Sequence, residues 1–218
     1  MPRFRHVLFD LDGTLIDSAP AILASYRDAF AALGQTPVRP IDDSIVGPPL
    51  AETLQLLTGS EDAALLTALA DAFKASYDSE GYRHTGVYAG IAELLDTLAA
   101  AGCRLAIATN KRLHPTRLIL QYLGWQARFD AVYALDLFEP RLPDKATMLA
   151  RLLADQGIAR AQAVYVGDRA EDGHAAEANQ LPFIAASWGY GSLSDAERLP
   201  HWQAAGTPEA LAQALLAG

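Results

Sequence analysis

Short apolar runs alternate along the chain with longer segments in which apolar residues recur at every third or fourth position. The short runs are typical of buried strands: His6–Leu11, Arg104–Ala108, Ala131–Ala134, Ala163–Val166 and Phe183–Ala186. The longer segments follow turn signals and predict helices, among them Gly90–Ala101, Pro115–Leu123, Lys145–Gln156 and Glu209–Ala217. Strands that alternate with helices predict an α/β fold with a doubly wound, Rossmann-like parallel sheet. In such a sheet the functional site lies beyond the carboxyl ends of the strands.

One stretch breaks this alternation. Between residues 18 and 88 the pattern is mainly helical, and no run there is typical of a buried parallel strand. The helical segments are Ala21–Leu33, Leu50–Leu57 and Asp62–Tyr77. About 70 residues is far longer than an ordinary connection. We therefore predict two domains: an α/β core of residues 1–17 and 89–218, and a helical domain of residues 18–88 inserted after the first strand.

The composition describes a globular protein of 218 residues, 51% of them hydrophobic, with a formal net charge of −9. An acidic chain is poorly suited to nucleic-acid polymers, whose phosphates attract clustered lysine and arginine. Cys103 is the only cysteine, which excludes a disulfide within the chain and a cysteine-rich zinc site. We find neither a signal-peptide pattern nor the roughly 18 apolar residues that span a membrane. We therefore expect a cytoplasmic protein with neither nucleic acid nor membrane as partner.

Two carboxylates follow the first strand directly. Asp10 and Asp12 lie two positions apart, so in an extended chain they project from the same face, and Gly13 then permits a tight turn. Carboxylates held this close repel each other unless a cation neutralises them or one of them keeps a proton. The pair therefore indicates a site for a cation or for acid–base chemistry.

Polar residues also follow the later strands. Thr109 and Asn110 end the second strand, where a hydroxyl and free backbone N–H groups suit a phosphate. Asp168 and Asp172 follow the strand that ends at Val166 and add two more carboxylates to the same rim. Several carboxylates that converge on one rim indicate a hard divalent cation, most plausibly Mg²⁺. Lys145 begins a helix, where the helix dipole disfavours a cation unless an acidic or phosphate partner lies nearby.

These motifs resemble, in order and spacing, the four motifs of the haloacid-dehalogenase-like superfamily of phosphatases. The first is the segment from Phe9 to Leu15, and the fourth is Gly-Asp-x-x-x-Asp, which ends at Asp172. The helical insertion is similar to the cap of the phosphoglycolate-phosphatase-like branch. The segments Val46–Leu50 and Trp188–Ser192 resemble that branch and its 5′-nucleotidase-like members.

The resemblance implies a Mg²⁺-dependent phosphatase that acts on a small phosphate ester, most closely phosphoglycolate. It implies that Asp10 attacks phosphorus, that Asp12 serves as general acid and base, and that Lys145 offsets charge. Thr109 and Asn110 would bind the phosphate. The implied metal ligands are Asp10, the backbone carbonyl of Asp12, Asp168 and Asp172, the last one directly or through water.

One position departs from the pattern of the superfamily. Many relatives have Lys-Pro in the third motif, whereas here Lys145 follows Pro143-Asp144 and precedes Ala146. Lys111, which follows Asn110, is therefore the alternative for the lysine that offsets charge.

Other functions share parts of this pattern. A dehalogenase of the same superfamily usually lacks the second acidic residue, Asp12. A phosphomutase keeps Asp12 but often has another residue where Thr14 stands, and a signalling receiver domain is much shorter. A ligand-binding protein on this fold would need no intact acid–base pair. The leaving group stays open between glycolate, a nucleoside, a sugar and phosphate itself.

Overall fold

The computed structural model describes residues 2–191 and 199–217, and a six-stranded parallel sheet forms its centre. The strand order is β5-β4-β1-β6-β7-β8. The strands are β1 (His6–Phe9), β4 (Arg104–Thr109), β5 (Ala131–Ala134), β6 (Ala163–Gly167), β7 (Phe183–Ala186) and β8 (Gln203–Ala205). A second, antiparallel pair is formed by β2 (Ile16–Asp17) and β3 (Gly86–Val87). The predicted α/β fold with a parallel sheet is confirmed.

Helices cover both faces of the sheet. They are α1 (Ala19–Ala32), α2 (Leu50–Thr58), α3 (Ala63–Tyr77), α4 (Ile91–Ala100), α5 (Leu113–Tyr122), α6 (Lys145–Asp155), α7 (Ala170–Ala178) and α8 (Pro208–Leu216). On β1, Val7 and Phe9 pack into the core on one face, with α4, α5 and α8. Leu8 packs into the core on the other face, with α6 and α7. This alternation is the expected arrangement for a strand buried on both sides.

Two elements of the core carried no clear sequence signal. The three residues of β8, Gln-Ala-Ala, include no large apolar side chain. Helix α7 is also poor in large apolar residues and contains Gly173. A Cβ at position 173 would lie 2.5 Å from the ring of Trp202, so the close approach of that ring requires glycine. Hydrophobic spacing therefore could not reveal α7, because the helix packs through small residues.

The helical stretch leaves the sheet and returns to it through adjacent strands. Ile16 pairs with Val87 and Asp17 with Gly86, so the two crossings lie side by side. Helices α1, α2 and α3 lie between these crossings, and α1 packs on α3, where the rings of Tyr26 and Phe73 are 4.5 Å apart. The division into two domains at residues 18 and 88 stays a prediction.

Within the described ranges, no helix is both long enough and apolar enough to cross a membrane.

Candidate active site

The carboxyl ends of β1, β4 and β6 bring the predicted site residues to one rim of the sheet. Asp10 and Asp12 follow β1, Thr109 ends β4, and Asp168 follows β6. The turn after Asp12 depends on Gly13, which has φ +85° and lies against Asp168. A Cβ on residue 13 would lie 2.3 Å from Asp168 Oδ2, so glycine is required for the two loops to meet.

Three buried carboxylates form the acidic centre of this rim. Oxygens of Asp10, Asp168 and Asp172 all lie within 4.8 Å of one another. Burial raises the pKa of Asp10 well above its usual value; Lys145 opposes this shift, whereas the carboxylates of Asp172 and Asp168 add to it. Burial, together with Asp172, raises the pKa of Asp168 to about 6. The three groups therefore have more negative charge in one place than a protein interior tolerates unaided.

Lys145 lies inside this acidic centre. Its Nζ donates to Asp10 Oδ1 at 3.1 Å and to Asp172 Oδ1 at 2.5 Å, and its side chain is 5% exposed. Asp144 caps α6 by accepting a hydrogen bond from the Thr147 N–H at 2.7 Å, which begins the helix at Lys145. Burial lowers the pKa of Lys145, but Asp10 and Asp172 together raise it well above its usual value. The structure therefore brings Lys145 to Asp10 although the third motif lacks its usual proline.

Lys111, the alternative lysine, contacts the other aspartate of the pair. Its Nζ lies 2.9 Å from Asp12 Oδ1 and 4.7 Å from the ring centroid of Tyr77 in α3. Burial lowers the pKa of Lys111, but attraction by Asp12 raises it overall. The hydroxyl of Ser18 also donates to Asp12 Oδ1. Sequence reasoning missed these contacts, because nothing in the local pattern links Asp12 to α3.

The predicted phosphate ligands are also buried at the rim. The Thr109 hydroxyl accepts a hydrogen bond from the Lys111 N–H at 3.1 Å. Asn110 Nδ2 donates to Glu171 Oε1 at 2.9 Å, a partner that sequence reasoning did not identify. Both residues are therefore buried at the rim, and hydrogen bonds to their neighbours set their positions.

Several buried polar atoms at this rim lack a hydrogen-bond partner among the described residues. They are Thr14 Oγ1, Asn110 Oδ1, Asp168 Oδ1, Arg169 Nε and Arg169 Nη2. Buried polar groups are nearly always paired, so such a cluster points to a missing ligand. When all are ionised, the four aspartates of the rim outweigh Lys145 and Lys111 by two negative charges. Oxygen donors with this excess charge fit Mg²⁺.

A short loop after β7 holds the rim together. The Gly191 N–H donates to Asp168 Oδ2 at 3.0 Å, and the indole N–H of Trp188 donates to the Thr14 carbonyl at 3.0 Å. The Tyr190 hydroxyl donates to Asp17 Oδ1 at 2.6 Å. Residues 188–191 resembled the phosphoglycolate-phosphatase-like branch in sequence, and Ser192 lies outside the described residues. The contacts of this loop with the rim were not predicted.

Two cavities adjoin the rim on the side of the helical stretch. The inner cavity has a volume of about 60 Å³ and is lined by residues that include Asp12, Tyr26, Phe73, Tyr77 and Lys111. The outer cavity has a volume of about 310 Å³, and its walls include Leu66, Lys74, Leu135, Asp136 and Arg141. Leu50, Asn110 and Arg112 line both cavities. If a phosphate ester binds with its phosphate beside Asn110, its leaving group therefore has two cavities next to it.

Comparison with known proteins agrees with this geometry. The phosphoglycolate phosphatase of Xanthomonas campestris pv. campestris is 37% identical over 206 residues, 92% of this chain and 90% of that protein. The tyrosine-protein kinase PtkA of Mycobacterium tuberculosis is 36% identical over 186 residues, or 85% of this chain. The chain spans only 62% of the length of PtkA. The crystal structure of a predicted phosphatase from Clostridium acetobutylicum has a TM-score of 0.86, at 28% identity and with 97% of each chain covered.

The names of these relatives include a kinase and phosphatases, so they do not by themselves assign a substrate. The family is decided by a broader match. The family model for haloacid dehalogenase-like hydrolases matches residues 7–186, which include the four aspartates, both lysines, Thr109 and Asn110 of the rim. The resemblance found in the sequence motifs is therefore confirmed, and the chain belongs to the haloacid dehalogenase-like hydrolase family.

Proposed function

We propose that the protein is a Mg²⁺-dependent phosphatase that hydrolyses a small phosphate monoester, with phosphoglycolate as the best candidate. One observation carries the proposal. Asp10 lies beside Lys145 and two further buried carboxylates, and Asp12, two residues later, faces a small cavity. This arrangement supplies a nucleophile, positive charge and an acid–base group at one point. We further propose that the reaction takes place in the cytoplasm.

The proposed reaction has two steps. In the first, a carboxylate oxygen of Asp10 forms a bond to phosphorus while the bond from phosphorus to the ester oxygen breaks. Asp12 gives its proton to the departing alkoxide, which leaves as the alcohol. In the second step Asp12 takes a proton from water, the hydroxide oxygen bonds to phosphorus, and Asp10 is released with free phosphate. A covalent intermediate thus divides one difficult displacement into two easier ones.

Three side chains of the rim, Lys145, Asn110 and Thr109, would orient the phosphate. The ammonium group of Lys145 offsets the charge that Asp10 and the phosphate share. Asn110 is held by Glu171 through its Nδ2, and the Thr109 hydroxyl accepts a hydrogen bond from the Lys111 N–H, just before α5 begins. These groups hold phosphate oxygens so that Asp10 approaches phosphorus in line with the leaving oxygen.

Mg²⁺ would be held by Asp10, the backbone carbonyl of Asp12 and Asp168, with Asp172 close by. When bound, the ion would neutralise negative charge on the phosphate and on the carboxylates. Asp172 Oδ1 accepts from Lys145, and its Oδ2 accepts from the Arg169 N–H at 3.0 Å. Each oxygen thus accepts a hydrogen bond and keeps a second lone pair, so Asp172 would contact the ion directly or through water.

We propose that residues 18–88 form a cap domain over the rim. The ring of Tyr77 in α3 lies over Lys111, which pairs with Asp12, and this contact supports the proposal. A helical cap that closes here would exclude water during the first step and contact the leaving group. A 5′-nucleotidase-like activity is the second candidate, because the outer cavity offers room for a larger leaving group.

Phosphate release from a panel of esters tests the proposal. The panel contains phosphoglycolate, nucleoside monophosphates and sugar phosphates, each with Mg²⁺ and with excess chelator. We expect Mg²⁺-dependent release that Asp10→Asn lowers on the order of 10³-fold or more. Asp130→Asn is the matched control, because Asp130 is paired with Arg104 away from the rim.

A second variant tests the intermediate. With p-nitrophenyl phosphate, whose leaving group needs little help from an acid, Asp12→Asn should accumulate phosphorylated protein detectable by mass spectrometry. Unchanged turnover in Asp10→Asn would refute the nucleophile. Isomerised sugar phosphate without free phosphate would indicate a phosphomutase instead, and ligand binding without any turnover would indicate a binding protein.

A further inference from the structure

The two cavities beside the rim differ in the size of the group that each can hold. A cavity needs a volume of roughly 10–15 Å³ to hold one group the size of a water molecule. The inner cavity, at about 60 Å³, therefore has room for about four to six such groups. The outer cavity, at about 310 Å³, holds more than twenty by the same measure. Glycolate has five non-hydrogen atoms, which matches the inner cavity. A nucleoside has nearly as many non-hydrogen atoms as the outer cavity has room for.

One charged side chain is among the three residues that line both spaces. Arg112 lines both cavities and lies at the N-terminal end of α5, directly after Lys111. Leu50 and Asn110 complete the shared wall. Asn110 is itself fixed by its hydrogen bond to Glu171. Arg112 is therefore placed to limit passage from the space beside Asn110 into the outer cavity.

An ion pair fixes the position of that side chain. Arg112 Nη1 lies 2.8 Å from Asp78 Oδ2 and Nη2 lies 2.6 Å from Asp78 Oδ1, so the pair is bidentate. Asp78 ends α3, and the two side chains are 22% and 18% exposed. A bidentate pair of this kind fixes direction as well as distance. The end of α3 thus holds Arg112 across the boundary between the cavities.

Two cations line the inner cavity, and each is paired with a carboxylate: Lys111 with Asp12 and Arg112 with Asp78. Lys111 and Arg112 both line it, and Asp12 is its only acidic lining residue among those described. The remaining wall is largely apolar and aromatic, including Ile22, Tyr26 and Phe73. A small leaving group with its own carboxylate would match this combination of two cations and a tight apolar wall.

Resting on the phosphatase function proposed above, we propose that Arg112, held by Asp78, is the specificity-determining residue that restricts the leaving group to a small hydroxy acid. The inner cavity accepts the acid, and Arg112 contributes positive charge toward its carboxylate. The same side chain closes the way to the outer cavity. Loss of Arg112, or of its anchor, joins the two spaces and admits larger leaving groups.

The test measures kcat/KM across esters of increasing leaving-group size: phosphoglycolate, phospholactate, p-nitrophenyl phosphate and adenosine 5′-monophosphate. We expect the wild type to prefer the first two. Arg112→Ala should change the ratio of kcat/KM for phosphoglycolate to that for adenosine 5′-monophosphate by about 100-fold toward the nucleotide. The change should consist of a higher KM for phosphoglycolate and a lower KM for the nucleotide.

Two further variants separate selectivity from folding. Asp78→Ala keeps the arginine but frees it, and it should shift the ratio in the same direction by about tenfold. Arg112→Lys keeps the charge without the bidentate contact, so it should shift the ratio in the same direction as Arg112→Ala but less far. Arg128→Ala is the matched control, since Arg128 pairs with Asp96 and lines neither cavity.

The outcomes are distinct. If the wild type hydrolyses no ester, the phosphatase function and this inference both fail. If the wild type hydrolyses small and large esters equally well, only the inference fails. The inference also fails if Arg112→Ala and Asp78→Ala lower kcat/KM for all esters by one common factor. Such a uniform loss would indicate damage to the fold, which the control Arg128→Ala should not cause.

Discussion

Two lysines are buried at the rim, and they are placed by different parts of the molecule. Lys145 contacts Asp10 and Asp172, both of which belong to the region of the parallel sheet. Lys111 contacts Asp12, but it also lies over the ring of Tyr77 from the helical stretch. Their side chains are almost equally buried, at 5% and 6% exposure.

The difference separates two tasks. The site around Lys145 is complete without the helical stretch, so the sheet alone can assemble the nucleophile and its charge partner. The site around Lys111 includes the ring of Tyr77 in α3, so the surroundings of Asp12, the proposed acid–base residue, depend on how the helices pack over the rim. Substitutions of these two lysines should therefore have different effects on turnover and stability, and the following experiments test that difference.

The largest effect is expected for Lys145→Met. The change leaves Asp10 and Asp172 buried without a cation, so phosphatase turnover should fall on the order of 10³-fold or more. The free energy of unfolding in chelator should fall by about 3 kcal/mol, measured by urea denaturation. Arg151→Met, at an exposed pair with Asp155, is the control. Turnover within tenfold of the wild type would contradict the role of Lys145.

Lys111→Met should have a smaller effect on turnover, about 10²-fold, because it disturbs the acid–base residue and leaves the nucleophile intact. The loss should be smaller with p-nitrophenyl phosphate, whose leaving group needs little protonation. Steady-state kinetics with that ester and with phosphoglycolate measure this difference. An equal loss on both esters would show that Lys111 acts on the phosphate and not through Asp12.

Mg²⁺ should stabilise the protein through the site around Lys145 only. At a concentration one hundred times its Kd, the ion should add about 2.7 kcal/mol to the free energy of unfolding. Asp168→Asn should remove most of this gain, whereas Lys111→Met should keep it. In chelator, Asp168→Asn should be at least as stable as the wild type, since it removes one uncompensated buried charge. Urea denaturation of the three proteins with and without Mg²⁺ measures all six values.

The smallest effect is expected at Tyr77. Its hydroxyl has no hydrogen-bond partner among the described residues, so Tyr77→Phe should change stability by less than about 0.5 kcal/mol. Tyr77→Leu removes the ring over Lys111 and should cost about 1–2 kcal/mol beyond that. Thermal unfolding compares the two variants directly. Equal losses would mean that the ring over Lys111 contributes nothing specific.

The sequence predicted most of the parallel sheet because buried strands have continuous apolar runs. The strands Ala131–Ala134 and Phe183–Ala186 have the predicted bounds, and the other three predicted strands differ by one or two residues at the carboxyl end. It missed α7 and β8, which pack through small residues, and it missed the two-residue strands β2 and β3. Apolar spacing does not reveal elements that have few large side chains.

By itself the sequence determined which residues reach the rim, because carboxylates at the ends of parallel strands must meet at one edge of a sheet. Only the tertiary structure decided which lysine forms an ion pair with which aspartate. Lys111 and Asp12 are 99 positions apart, and Lys145 and Asp10 are 135 apart. The pair between Arg112 and Asp78 joins the sheet region to the helical stretch. Such pairings depend on how separate elements pack together, and no local pattern in the chain records that packing.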